Sequence, residues 1–144
     1  MAHSDLDQLL NALIPFAQQM LSKHGEFFPF GAAMSADGEI GLHAGDTGEE
    51  QPEAQEVIGL LTAGFRQQAA EGSIRAAGVC VDIRTIPPGP QEKTDAISVP
   101  LEHQSGEAAT VILPYKKGFL GRIKYGEMFA VKRDPEFFVA GNKS

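Results

Sequence analysis

The chain has 144 residues, a formal net charge of −7, 42% hydrophobic residues, one cysteine and no tryptophan. That is enough chain to bury one core, and the expectation is a single globular domain over residues 1–144. One cysteine excludes an internal disulfide framework and a cysteine-built zinc site, and no apolar run approaches the ~18 residues of a membrane-spanning helix.

The first residues, Met1-Ala2-His3-Ser4-Asp5, carry no basic segment followed by an apolar core, so a cytoplasmic location is expected. A helix is predicted from about Asp5 to His24. Leu6, Leu9, Leu10, Leu13, Ile14, Ala17, Met20 and Leu21 form its 3.6-residue stripe. Ser4 is its expected N-cap, Asp7 complements the positive end, and His24-Gly25 closes it. Pro15 removes a backbone donor mid-helix and is expected to kink or split it.

A hairpin follows. Phe28, Phe30, Ala32 and Met34 alternate along one strand face, Asp37-Gly38 reads as a two-residue turn, and Glu39 to Ala44 returns with Ile40 and Leu42 on one side and His43 on the other. Gly45 to Gln51 is a polar loop, and Pro52 suits the first position of a second helix. Val57, Ile58, Leu61, Phe65 and Ala69 form that helix's buried stripe. Gly59 and Gly64 imply close packing on a sheet, and Gly72 ends the helix.

The rest reads as strands. Val79, Val81 and Ile83 alternate with Cys80, Asp82 and Arg84; a proline-rich loop runs from Pro87 to about Asp95; Ile97, Val99 and Leu101 form the next inward row. Ser105-Gly106 turns into a strand bearing Val111 and Leu113, and one last strand is expected through Tyr125, Glu127, Phe129 and Val131. The expected fold is α+β: a central antiparallel sheet of five to six strands with two main helices, ordered α-β-β-α-β-β-β-β. This order resembles the profilin-like and roadblock (dynein light chain) architecture. The resemblance covers most of the chain, rests on topology alone, and implies helices packed on a central antiparallel sheet. A cone-shaped fold of the nuclear-transport-factor type has a similar order and would favour a pocket between sheet and helices.

Chemistry-bearing motifs are sparse. His3, His24, His43 and His103 show no metal-ligand spacing, no nucleophile elbow or phosphate-binding glycine loop occurs, and mid-strand Cys80 reads as a buried small hydrophobe. No metal or cofactor is expected. Asp82, Arg84 and Glu102 are expected to share one sheet face with an Arg84–Glu102 ion pair, and His103 to lie at the edge of the core side. With Tyr115, these are the polar groups available to a ligand.

Charge is unevenly spread: Met1 to Pro114 nets −11, and Tyr115 to Ser144 nets +4. Lys116 and Lys117 lie in the basic part and complete the candidate binding residues. The acidic remainder repels a polyanion, so neither nucleic acid nor membrane is expected as a partner. Phe27-Phe28-Pro29-Phe30 and Phe137-Phe138-Val139 call for a second helix layer or an interface. The expected function is a small non-enzymatic binding or adaptor domain, self-associating as a homodimer or binding another protein. A small-molecule-binding protein or small enzyme with a pocket beneath the sheet is the alternative, and an acidic inhibitor of a basic protein is a further one.

Overall fold

Leu9, Leu13, Ala17 and Leu21 recur four residues apart, and in the computed structural model each is almost wholly buried on one side of helix α1, His3–His24. The structure describes residues 3–44, 53–86 and 92–139. The expected polar loop at Gly45–Gln51, Pro52 as a helix start, most of the proline-rich loop and the C-terminal tail lie outside these residues.

Helix α1 begins at His3, so Ser4 lies within it rather than capping it. Pro15 does not split it: the helix is one element from His3 to His24. Leu13, Ile14 and Ala17 are buried around an exposed Pro15, and their packing outweighs the ~3 kcal/mol penalty of an interior proline. Gly25 closes the helix at φ 76°, its N–H donating to the Leu21 carbonyl.

Strands β1 (Phe30–Ser35) and β2 (Ile40–Ala44) form the first hairpin. Its turn has three residues rather than two. Gly38, at φ 92°, donates to the Ser35 carbonyl, and Ser35 donates to Glu39, so the left-handed glycine sits third in the loop. Phe28 falls before the strand and is exposed, while Phe27 and Phe30 enter the core.

Helix α2 (Ala54–Glu71) buries Val57, Leu61 and Phe65 and ends at left-handed Gly72. Gly59 and Gly64 do not face the sheet. Both are exposed, and an added methyl at either would meet nothing within 4 Å. Gly59→Ala and Gly64→Ala are therefore expected to stabilise the protein by about 0.5–1 kcal/mol each, read as an increase in unfolding midpoint without a change in m-value.

Strands β3 (Ile74–Thr85), β4 (Thr94–His103) and β5 (Ala108–Lys117) run antiparallel as neighbours. The expected last strand is two: β6 (Ile123–Tyr125) and β7 (Phe129–Lys132), both paired with β5. Pro114 explains the break. It has no N–H to offer the outer neighbour, so only its carbonyl is engaged there, by the Gly126 N–H.

The fold is α+β, with a seven-stranded antiparallel sheet ordered β2-β1-β3-β4-β5-β6 and β7 also on β5. Both faces are covered. Helix α1 packs over Ala32, Met34, Cys80, Ile97, Val99, Leu101 and Leu113. Helix α2 and the segment after β7 cover Ala33, Ala77 and Val79, with Phe137 fully buried among them and its ring 5.5 Å from that of Phe65. The second helix layer expected from the paired aromatics is therefore present.

Candidate functional site

Strand register decides which polar residues meet. Asp82 stands opposite Ile97, on the α1 face, whereas Glu102 stands opposite Ala77, on the α2 face. The expected shared face of Asp82, Arg84 and Glu102 does not form. The expectation failed because the rows Val79-Val81 and Ile97-Val99-Leu101 pack on opposite faces of the sheet. With both faces buried, apolar alternation does not reveal which face is which.

Arg84 pairs not with Glu102 but with its cross-strand neighbour Asp95, at 3.6 Å and well exposed. An exposed pair at that distance contributes little. Glu102 is fully buried and accepts four hydrogen bonds. They come from Arg133 Nε at 2.9 Å and from the backbone N–H groups of Glu136, Phe137 and Phe138 at 2.8, 2.8 and 3.2 Å. The Arg133 guanidinium also lies 5.2 Å from the Phe137 ring centroid. This arrangement seats the C-terminal segment on the sheet. No acceptor position on Glu102 points towards solvent, so it is a structural carboxylate.

His103 lies at the end of β4 on the α1 side, as expected. A bulge supplies its neighbour: Met34 pairs with Ala76 and Ser35 with Ile74, leaving Arg75 as the extra residue. The Arg75 guanidinium reaches Asp5 Oδ1 at 3.2 Å, and His103 Nε2 donates to Asp5 Oδ2 at 2.8 Å. The Ser105 N–H donates to His103 Nδ1 at 3.0 Å, which places the neutral ring's proton on Nε2. An aspartate–histidine pair resembles catalytic machinery. Here both ring nitrogens are held by internal partners, Nδ1 by a backbone amide two residues away and Nε2 by Asp5. The hydrogen bond from His103 and the charge of Arg75 hold the Asp5 carboxyl below its usual range. Asp5 thus adds stability above about pH 3.8, lost as pH falls through its folded pKa.

Asp82 and Tyr115 do come together. The hydroxyl of Tyr115, a member of the α1-side core, donates to Oδ1 of the partly buried Asp82 at 2.6 Å. Burial raises the Asp82 carboxyl, and the Tyr115 hydrogen bond partly offsets this. Burial also raises the tyrosine hydroxyl, which remains a donor at neutral pH. Lys117 acts on Asp82 through its charge, whereas Lys116 is exposed on the other side of β5. Cys80 is wholly buried and burial raises its thiol, so it is unreactive.

Asp5, Arg75, Asp95 and Arg133 were not among the candidates, and their partners explain why. Each pairs with a residue brought near by strand register, a bulge or chain reversal, and none shows a local sequence signal. Two described grooves are lined by other residues. One, of about 560 Å³, lies between Gln18 and Ser22 of α1 and the Leu120–Tyr125 stretch. The other, of about 230 Å³, lies between His43 of β2 and Gly64, Phe65 and Gln68 of α2.

Several large apolar side chains also remain exposed. On β2, Ile40 and Leu42 are 36% and 52% exposed. They extend the α1 face beyond Met34 and Ala32, their partners in β1. Phe16 of α1, 39% exposed, rests edge-on against Phe30 along the same margin. No protein-family model, curated protein or solved structure matches this chain.

Proposed function

We infer that the protein is a non-enzymatic binding domain that self-associates through the β2 edge of its sheet. The carrying observation is the edge itself. All five residues of β2 are exposed, and Ile-Gly-Leu-His-Ala carries no lysine, carboxylate or proline. Its pairing with β1 runs without a bulge. An unguarded apolar edge of this kind invites another strand.

A second copy is the fitting occupant. Antiparallel pairing about Leu42 sets Leu42 against its own counterpart, Ile40 against Ala44, and Gly41 against His43. Large residues then oppose small ones across a two-fold axis. The contact strand is uncharged, so two chains of net charge −7 meet where their repulsion is least. The roadblock-like element order supports the same reading. So does the state of the polar candidates: Glu102, His103 and Asp82 are each occupied by internal partners.

Light scattering and sedimentation equilibrium from micromolar to submillimolar concentration test this. A dimer is expected. Leu42→Lys, at an exposed position, should leave the circular dichroism spectrum unchanged. It should raise the dimer dissociation constant about a hundredfold or more, because two like charges would face each other at the pairing centre. A wild-type chain that stays monomeric at submillimolar concentration excludes the dimer.

A further inference from the structure

We propose that the connection between β5 and β6 docks on an anionic lipid bilayer surface, with Phe119 and Leu120 entering the acyl boundary and Lys116, Arg122 and Lys124 held at the phosphates. The site is independent of the β2 edge and lies towards the opposite margin of the sheet.

Three oddities coincide there. Phe119 and Leu120 are 84% and 81% exposed, more than any other large apolar side chain among the described residues. Leu120 is also the one non-glycine described residue in the left-handed region, at φ 61° and ψ 30°. Glycine or asparagine would take that conformation with less strain. The fold thus holds a leucine at a strained position and buries little of it. Finally, Lys116 stands directly opposite Lys124 in the β5–β6 pairing, an arrangement in which like charges oppose strand association.

The cations are available. Lys116, Arg122 and Lys124 are exposed and form no ion pair among the described residues. Lys117 is excluded from the proposal because it is already engaged. Its Nζ lies 3.8 Å from where a methyl at Gly25 would stand, beside the negative end of α1, and it acts on Asp82.

Charge selects an anionic surface over a cationic or neutral one. Phe119 and Leu120 stand in the connection itself, with Lys116 on the strand before it and Arg122 and Lys124 on the stretch after it; Leu120 and Arg122 also border the groove against Gln18 and Ser22 of α1. A membrane surface offers phosphates outside and acyl chains beneath. Residues 1–114 net −11, so an anionic surface repels the rest of the chain and accepts it only through this connection. This departs from the expectation of no membrane partner. It is a surface contact, and no helix among the described residues is long and apolar enough to cross a membrane. Two apolar residues and three cations imply weak, reversible, salt-sensitive attachment.

Co-sedimentation of the full chain tests the proposal, using vesicles of phosphatidylcholine alone and vesicles with one-third phosphatidylserine. Binding is expected to be about tenfold or more stronger to the phosphatidylserine vesicles and to weaken steeply with added salt. Leu120→Gly and Phe119→Ser should each reduce it several-fold. Leu120→Gly is the decisive variant, because it relieves the backbone strain: its thermal midpoint should hold or rise while its vesicle binding falls. Equal binding to both vesicles overturns the proposal, as does full binding by both variants. Absence of binding to either vesicle also overturns it and leaves an acidic protein pocket as the partner of this connection.

Discussion

Replacing Glu102 with alanine is expected to destabilise the protein by about 3–5 kcal/mol, the range for breaking a buried ion pair on one side. For a chain of this size that corresponds to a fall in thermal midpoint of roughly 10–15 °C. Alanine would strand the Arg133 guanidinium, whose side chain is only 14% exposed, and would remove the acceptor of three backbone N–H groups. The segment that carries Phe137 would lose its anchor, and Val57, Leu61, Phe65 and Val79 would lose a fully buried aromatic neighbour. Urea unfolding and a thermal scan measure the loss. Glu102→Gln keeps one carbonyl acceptor but turns an NH₂ group towards the same donors, so its stability should lie between wild type and alanine. A Glu102→Ala protein as stable as wild type would mean that the C-terminal segment is held by Phe137 alone.

Tyr115→Phe tests the one candidate pair that the fold brings together. The hydroxyl donates to a carboxylate, and such bonds contribute about 1.5–3 kcal/mol. The expected loss depends on pH, with a definite sign. Burial raises Asp82 above its ordinary value of 3.8, so the folded protein binds that proton more tightly than the unfolded chain does. Ionised Asp82 therefore opposes folding above its folded pKa, and the opposition disappears as pH falls towards 3.8. The Tyr115 hydroxyl lowers the Asp82 pKa, and removing it should raise that pKa further. The stability gap between Tyr115→Phe and wild type should thus be largest at pH 7. It should shrink as the solution is acidified through the variant's raised carboxyl pKa. Urea unfolding at pH 7 and near pH 4 reads both values. A gap unchanged with pH would show that the hydroxyl does not favour the charged form.

These two residues also show how far the sequence reaches towards a site. Asp82, Glu102, His103 and Tyr115 were legible as candidates because charged or hydroxyl groups interrupt apolar strands. Their roles were not legible. Glu102 is matched by Arg133, and Asp5 by Arg75 and His103, across separations of 31, 70 and 98 residues. Only the chain's return to the sheet brings those groups within bonding distance.

Local sequence patterns determined the elements themselves. The 3.6-residue stripe of α1, the glycine closures at Gly25 and Gly72, and the order of two helices and successive antiparallel strands all follow from periodicity and backbone permissiveness, which act over a few residues. Tertiary structure decided the rest. Packing held α1 together through Pro15, and Pro114 interrupted the outer ladder so that one expected strand became two. Layers on both sides of the sheet made alternation ambiguous, and register, not pattern, placed Asp82 and Glu102 on opposite faces. The surfaces left for binding, the β2 edge and the Phe119–Leu120 connection, were likewise set by the fold. A side chain's exposure depends on which segments pass over it, and adjacent residues carry no record of that.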